Sequence, residues 1–108
     1  MTEQQLKTLI KNYLLTKGHY VWVNNSGLTR NKYTNKAGVT SERAWRAGIR
    51  GGSDILGIEK GTGRFIAVEV KVGKNTPTDQ QKEFLHEIER RGGHAIVAYT
   101  LEDVQRYL

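Results

Sequence analysis

The chain has no cysteine, a single proline (Pro77) and comparatively little acid, with 11 Asp and Glu against 17 Lys and Arg in 108 residues. Without cysteine there is no disulfide framework and no thiolate zinc site, which fits a reducing cytoplasm. No stretch approaches the ~18 apolar residues of a membrane span. The polar start Met1-Thr2-Glu3-Gln4-Gln5 also lacks a signal-peptide pattern. A soluble chain with no membrane partner is therefore expected. The shortage of acid leaves a net charge of +6 and a pI near 9.7. That balance favours a polyanionic partner, nucleic acid ahead of an anionic membrane; a merely soluble basic protein is the bland alternative. A chain this long suits one core, so residues 1–108 are expected to form one domain.

What is present reads as alternating helices and strands, with no internal repeat. Thr2 and Gln5 make a capping box, Leu6, Leu9, Ile10, Tyr13 and Leu14 recur at helical spacing, and Gly18 stops the helix. Tyr20-Val21-Trp22-Val23 is a short strand closed by Asn24-Asn25-Ser26-Gly27. From Ser26 to Arg50 the pattern fades, apart from a short helix expected over Ser41–Ala47. This segment carries Arg30, Lys32, Lys36, Arg43, Arg46 and Arg50 against one acid, Glu42. Strands then fall at Asp54–Glu59 and Arg64–Val72 around the turn Lys60-Gly61-Thr62-Gly63. Thr76 caps a helix with Pro77 at its first position, Phe84, Leu85 and Ile88 form its stripe, and Gly92-Gly93 end it. A strand at His94–Tyr99 and a last helix opened by Thr100 and Asp103 complete the order α-β-β-β-α-β-α. The fold class is α/β, a mixed sheet of about four strands flanked by helices.

If the four-residue turn joins a hairpin, Glu59 faces Arg64, and the same register sets Asp54 opposite Glu69 on one side of the sheet. Lys71, two residues on, points the same way. Facing carboxylates repel, and Leu56, Ile58, Phe65 and Ala67 make the surrounding face apolar, so a compensating charge is needed. A hard divalent cation, Mg²⁺ or Mn²⁺, supplies it; Lys71 acting alone as a structural ion pair is the alternative. With a cation held by Asp54 and Glu69, and Lys71 orienting water or offsetting charge on phosphorus, the arrangement suits phosphodiester hydrolysis. Gln81 falls inside the apolar arc of its helix and Gln80 at its edge. An inward glutamine needs a partner, either the carboxylates or nearby backbone.

Gly52-Ser53-Asp54, Glu69-Val70-Lys71 and Gln81 resemble the D…ExK…Q signature of the PD-(D/E)XK nuclease superfamily. The chain is more narrowly similar to stand-alone VRR-NUC domains of phages and bacteria, a likeness covering nearly all of it. The resemblance implies a restriction-endonuclease-like fold with Asp54, Glu69 and the Val70 carbonyl as metal ligands. It also implies Lys71 as the catalytic lysine and Gln81 as an accessory residue. Ser53 replaces the proline of many members, which is not a ligand. Glu3 matches a helical acid that some members add, though acids at helix starts commonly serve the dipole.

The expected activity is Mg²⁺- or Mn²⁺-dependent endonucleolytic cleavage of DNA. By analogy the protein acts as a homodimer on branched DNA, in the manner of junction resolvases, with no small-molecule cofactor. A ribonuclease on the same fold and a catalytically silent nucleic-acid-binding module are the alternatives. The six basic residues from Arg30 to Arg50 are expected to meet backbone phosphates. Tyr33 or Trp45 is available to stack on a base, Trp45 being otherwise a core residue. His19, His86 and His94 show no ligand spacing and read as incidental.

Overall fold

A computed structural model describes residues 1–24, 28–46 and 51–108; over residues 28–33 and 41–46 the description is of the backbone. The order is α1 (Glu3–Thr16), β1 (Tyr20–Val23), β2 (Leu28–Thr34), β3 (Thr40–Arg46), β4 (Ile55–Ile58), β5 (Phe65–Val70), α2 (Asp79–Arg90), β6 (His94–Ala98) and α3 (Leu101–Gln105). Four strands form a mixed sheet in the order β1-β4-β5-β6, antiparallel except for the parallel β5–β6 pair. With helices on its faces this is a restriction-endonuclease-like α/β architecture, as expected.

Alternation along β5 divides the core into two layers. Ile66, Val68 and Val70 join Leu6, Ile10 and Leu14 of α1, Ile96 and Ala98 of β6, and Val104 of α3. On the opposite face Phe65 and Ala67 pack with Leu56 and with Phe84, Leu85 and Ile88 of α2. Gly57 is buried in β4, where β1 runs alongside it in the sheet, and a Cβ there would collide with the Tyr20 carbonyl oxygen. Capping boxes at Thr2 with Gln5 and at Thr100 with Asp103 open α1 and α3 as their spacing predicts.

Three expectations need correction. The basic segment is not patternless: β2 and β3 pair with each other as a separate two-stranded ribbon, which adds two strands to the expected order. The helix expected over Ser41–Ala47 is therefore strand β3 as far as Arg46; Ala47 lies outside the described residues. Large apolar residues are few along the ribbon, so no apolar alternation marks it. Its turn does carry a signal: Asn35 Oδ1 accepts from the Ala37 and Val39 amides, and Gly38 takes φ +82°. The third correction concerns α2, which is capped by Thr78 rather than Thr76. Thr78 and Gln81 form a capping box, and Pro77 sits just before the cap. Strand limits are also narrower than expected at β4, β5 and β6. The turn expected at Asn24–Gly27 lies outside the described residues beyond Asn24.

Candidate active site

The ladder between β4 and β5 pairs Ile55 with Val68 and Ile58 with Phe65, the register expected from the turn. Carried one step further it sets Asp54 against Glu69. Asp54 lies just outside β4, and its side chain takes over where the ladder stops. Its Oδ2 accepts from the Val70 amide at 2.8 Å, and its carbonyl accepts from the Asn24 amide at 2.8 Å. Glu69 belongs to an interior strand and is 2 % exposed. Lys71 follows on the same side, its Nζ 3.6 Å from Glu69 Oε1.

Gln81 reaches this pair from α2, and both contacts weighed for it are made. Its Oε1 accepts from the Thr78 amide at 2.9 Å, closing the helix cap. Its Nε2 donates to Glu69 Oε1 at 3.1 Å. Anchoring at one end fixes the donor at the other. Gln80 is exposed and packs on the glycine-rich approach to Asp54, where a Cβ on Gly51 (φ +73°) would meet its Cγ at 2.5 Å.

Lys7 was not foreseen. Its Nζ lies 3.5 Å from Asp54 Oδ1, and both side chains are about four-fifths covered (18 % and 20 % exposed). The signal for it was positional: Lys7 borders the buried row Leu6, Ile10, Leu14 of α1. Glu3, one turn earlier, is half-buried in the first turn of the same helix. Among the described residues no three His, Cys, Asp or Glu side chains gather as a metal cluster, so Glu3 does not complete one.

The electrostatics concentrate on Glu69. Burial first, and then the neighbouring Asp54 carboxylate, push it up to about 8, against a partial offset from Lys71. Its Oε1 is served by Gln81 and Lys71, while its Oε2 is buried with no hydrogen-bond partner. An orphaned carboxylate oxygen beside a second carboxylate is a donor set that fits a hard divalent cation. For such a cation the side chains would supply two ligands, Asp54 and Glu69. Backbone, water or substrate oxygens must supply the remainder, as Mg²⁺ commonly accepts. Val70 sends its side chain into the α1 layer and its amide to Asp54.

The basic residues sit elsewhere in the fold. Register places Arg30 opposite Ala44, Asn31 opposite Arg43, Lys32 opposite Glu42 and Leu28 opposite Arg46 in the β2–β3 ribbon, with Tyr33 opposite Ser41 and Trp45 opposite Thr29. Lys36 is exposed at its turn, and Arg50 lies outside the described residues. Two of the histidines read as incidental have structural partners. His19 Nδ1 accepts from the Lys60 amide at 3.0 Å. His94 Nε2 lies 3.1 Å from Glu59 Oε1, and Thr62 and then His94 hold the Glu59 carboxyl below its usual range. Both tie down the β4–β5 turn that sets the register of the site.

The family model for the VRR-NUC domain matches residues 1–101 of the chain. No curated protein matches it at a significant level.

Proposed function

The chain belongs to the VRR-NUC family of PD-(D/E)XK nucleases, and from that premise we propose that it is a divalent-metal-dependent endonuclease of DNA centred on Asp54, Glu69 and Lys71. The observation that carries this reading is the unpartnered, buried Oε2 of Glu69 beside the Asp54 carboxylate. A binding module has no use for two carboxyl groups forced together in this way, whereas a nuclease centre does. Asp54, Glu69 and the Val70 carbonyl are the proposed ligands of Mg²⁺ or Mn²⁺. The bound cation supplies Lewis acidity at the scissile phosphate and favours ionisation of an attacking water. Lys71 orients that water or offsets the charge growing on phosphorus. Gln81 keeps Glu69 aimed by its donated hydrogen bond. Arg30, Lys32, Lys36, Arg43, Arg46 and Arg50 are assigned to backbone phosphates, which position the duplex without reading it.

We further infer that residues 1–108 act as one nuclease unit and that two copies cooperate on branched DNA, since cutting two strands at once calls for two centres. The test is incubation of the pure chain with a supercoiled plasmid, a four-way junction and a matched RNA, with Mg²⁺, Mn²⁺ or EDTA. Metal-dependent cutting of DNA, faster on the junction and abolished in Asp54→Ala, is the expected result. Cutting of RNA alone transfers the activity to ribonuclease, and full activity in Asp54→Ala sinks the site assignment.

A further inference from the structure

Beside the carboxylates the sheet presents an aromatic surface that the proposed chemistry does not use. Tyr20 and Trp22 of β1 are 71 % and 41 % exposed, and their rings meet edge to face with centroids 5.8 Å apart. They stand on the face of Asp54 and Glu69. Trp22 pairs with Leu56, which packs in the α2 layer, and Tyr20 pairs with Ile58, itself 40 % exposed. Val21, between them, turns to the α1 layer. On β4 the row Ile58, Leu56, Asp54 runs alongside Tyr20, Trp22, Asn24 on β1. Trp22 therefore stands one strand over from Asp54 and about 7 Å back along the sheet. Helix α2 packs chiefly on β5 and β6, and Tyr20, Trp22 and Ile58 stay exposed beside it.

Single apolar residues on a surface need no explanation, but a contiguous shelf of Tyr20, Trp22 and Ile58 does. We propose that Tyr20 and Trp22 form a stacking platform for an unpaired base of the strand whose phosphate lies at Asp54 and Glu69. This rests on the nuclease reading and adds to it a preference for DNA with an unpaired nucleotide next to the cut. Three features favour a base over a second copy of the chain. The shelf is continuous with the carboxylate row, so a strand held at Asp54 must pass it. The chain's net charge of +6 draws a polyanion. A copy seated on the shelf would also crowd the approach to Asp54. The edge-to-face packing assigns the parts: one ring offers its face to a single base while the other braces it.

The experiment measures equilibrium binding of the full chain, in EDTA, to a fluorescein-labelled blunt DNA duplex and to the same duplex carrying an unpaired flap. Stacking contributes roughly 1–3 kcal/mol per base, so Trp22→Leu should weaken flap binding about tenfold and leave blunt-duplex binding within about twofold. Trp22→Phe should retain most of the affinity for the flap. Tyr20→Ser, at a position exposed enough that folding does not depend on it, should lose about threefold and decides the matter if Trp22→Leu fails to fold. Equal losses on both DNAs, or none, overturn the proposal. So does sedimentation showing that Trp22→Leu converts a dimer to monomers, because the shelf then belongs to a second copy. Cleavage plays no part in this measurement. A chain that prefers the flap but cuts nothing refutes the nuclease reading alone; one that cuts but binds the flap equally well as Trp22→Leu refutes the platform alone.

Discussion

Replacing Glu69 with glutamine should remove a pH dependence of stability that the site imposes on the metal-free protein. In the unfolded chain this carboxyl titrates near 4.5, and in the folded one burial and Asp54 raise it to about 8. Below 4.5 both states hold the proton and the contribution is fully present. Between the two values only the folded state holds it, so stability falls as pH rises, and the loss is complete above about 8. At about 1.4 kcal/mol per unit, the limiting loss over this interval is about 5 kcal/mol. Relaxation of the pair and entry of water reduce that to about 2–3 kcal/mol, still a large share of the ~5–15 kcal/mol that holds a domain together.

The assay is urea denaturation in EDTA at several values between pH 5 and pH 8. A loss of 2 kcal/mol lowers the midpoint by about 1 M at a typical urea dependence. Glu69→Gln keeps an oxygen for Gln81 and Lys71 and puts an amide N–H where the protonated acid carries its O–H, beside the Asp54 carboxylate. Its midpoint should lie near the wild-type value at pH 5 and stay nearly level as pH rises. The difference in slope between the two chains is the quantity read. Saturating Mn²⁺ should reverse the wild-type slope, because it binds the ionised pair. Parallel slopes in wild type and Glu69→Gln would refute the electrostatic account of the site.

The other predictions divide the site among its residues. Lys71→Ala should lower cleavage by about 10²–10³ while Mn²⁺ binding persists in calorimetry, since an ammonium is no ligand; joint loss of binding and activity would make Lys71 structural. Lys7→Met should tighten Mn²⁺ binding about fivefold, the effect of removing a partly screened positive charge 3.5 Å from Asp54 Oδ1, and unchanged affinity would mean the ion pair is uncoupled from the site. Gln81→Ala should impair cleavage more than Gln80→Ala, whereas Gln81→Glu should keep helix stability through the capping box yet still lose activity, because a carboxylate replaces the donor to Glu69. Replacing Arg30, Lys32 and Lys36 together with Ala should weaken DNA binding and reduce its salt slope while leaving cleavage at saturating DNA largely intact; an unchanged slope would place the phosphate contacts elsewhere.

The centre was legible because two rules act on it at once. The Lys60–Gly63 turn sets the hairpin register, so one correct pairing aligns every residue from Ile55 to Ile58, and Asp54 follows by extension. A charge inside the run Phe65-Ile66-Ala67-Val68-Glu69-Val70 conflicts with burial on both faces, and a functional site resolves such a conflict. Lys7 escaped because its partner comes from a different element, and helix spacing marks a burial edge without naming what lies across it. The start of α2 was misplaced for a local reason. Thr76-Pro77 and Thr78 through Gln81 both look like helix starts, and only the reciprocal hydrogen bonds separate them.

The parts least visible in the sequence have a common physical cause. Apolar periodicity reports what the chain buries against itself, and it is silent where nothing is buried. The β2–β3 ribbon has Leu28 and Val39 as the only aliphatics larger than alanine between residues 28 and 46, so it offers no apolar period to read. The period of β1 was readable, but alternation alone gave no sign that Tyr20 and Trp22 stay exposed. If DNA is what covers both, their composition is selected by phosphates and bases rather than by a core. On the proposed function, substrate choice then resides in the ribbon and the aromatic shelf, while the buried candidate centre, which reads most clearly, would serve any phosphodiester it can reach. Exchanging the ribbon should accordingly change which DNA is bound, and altering the shelf should change which nucleotide stands next to the cut, with the chemistry at Asp54 and Glu69 left in place.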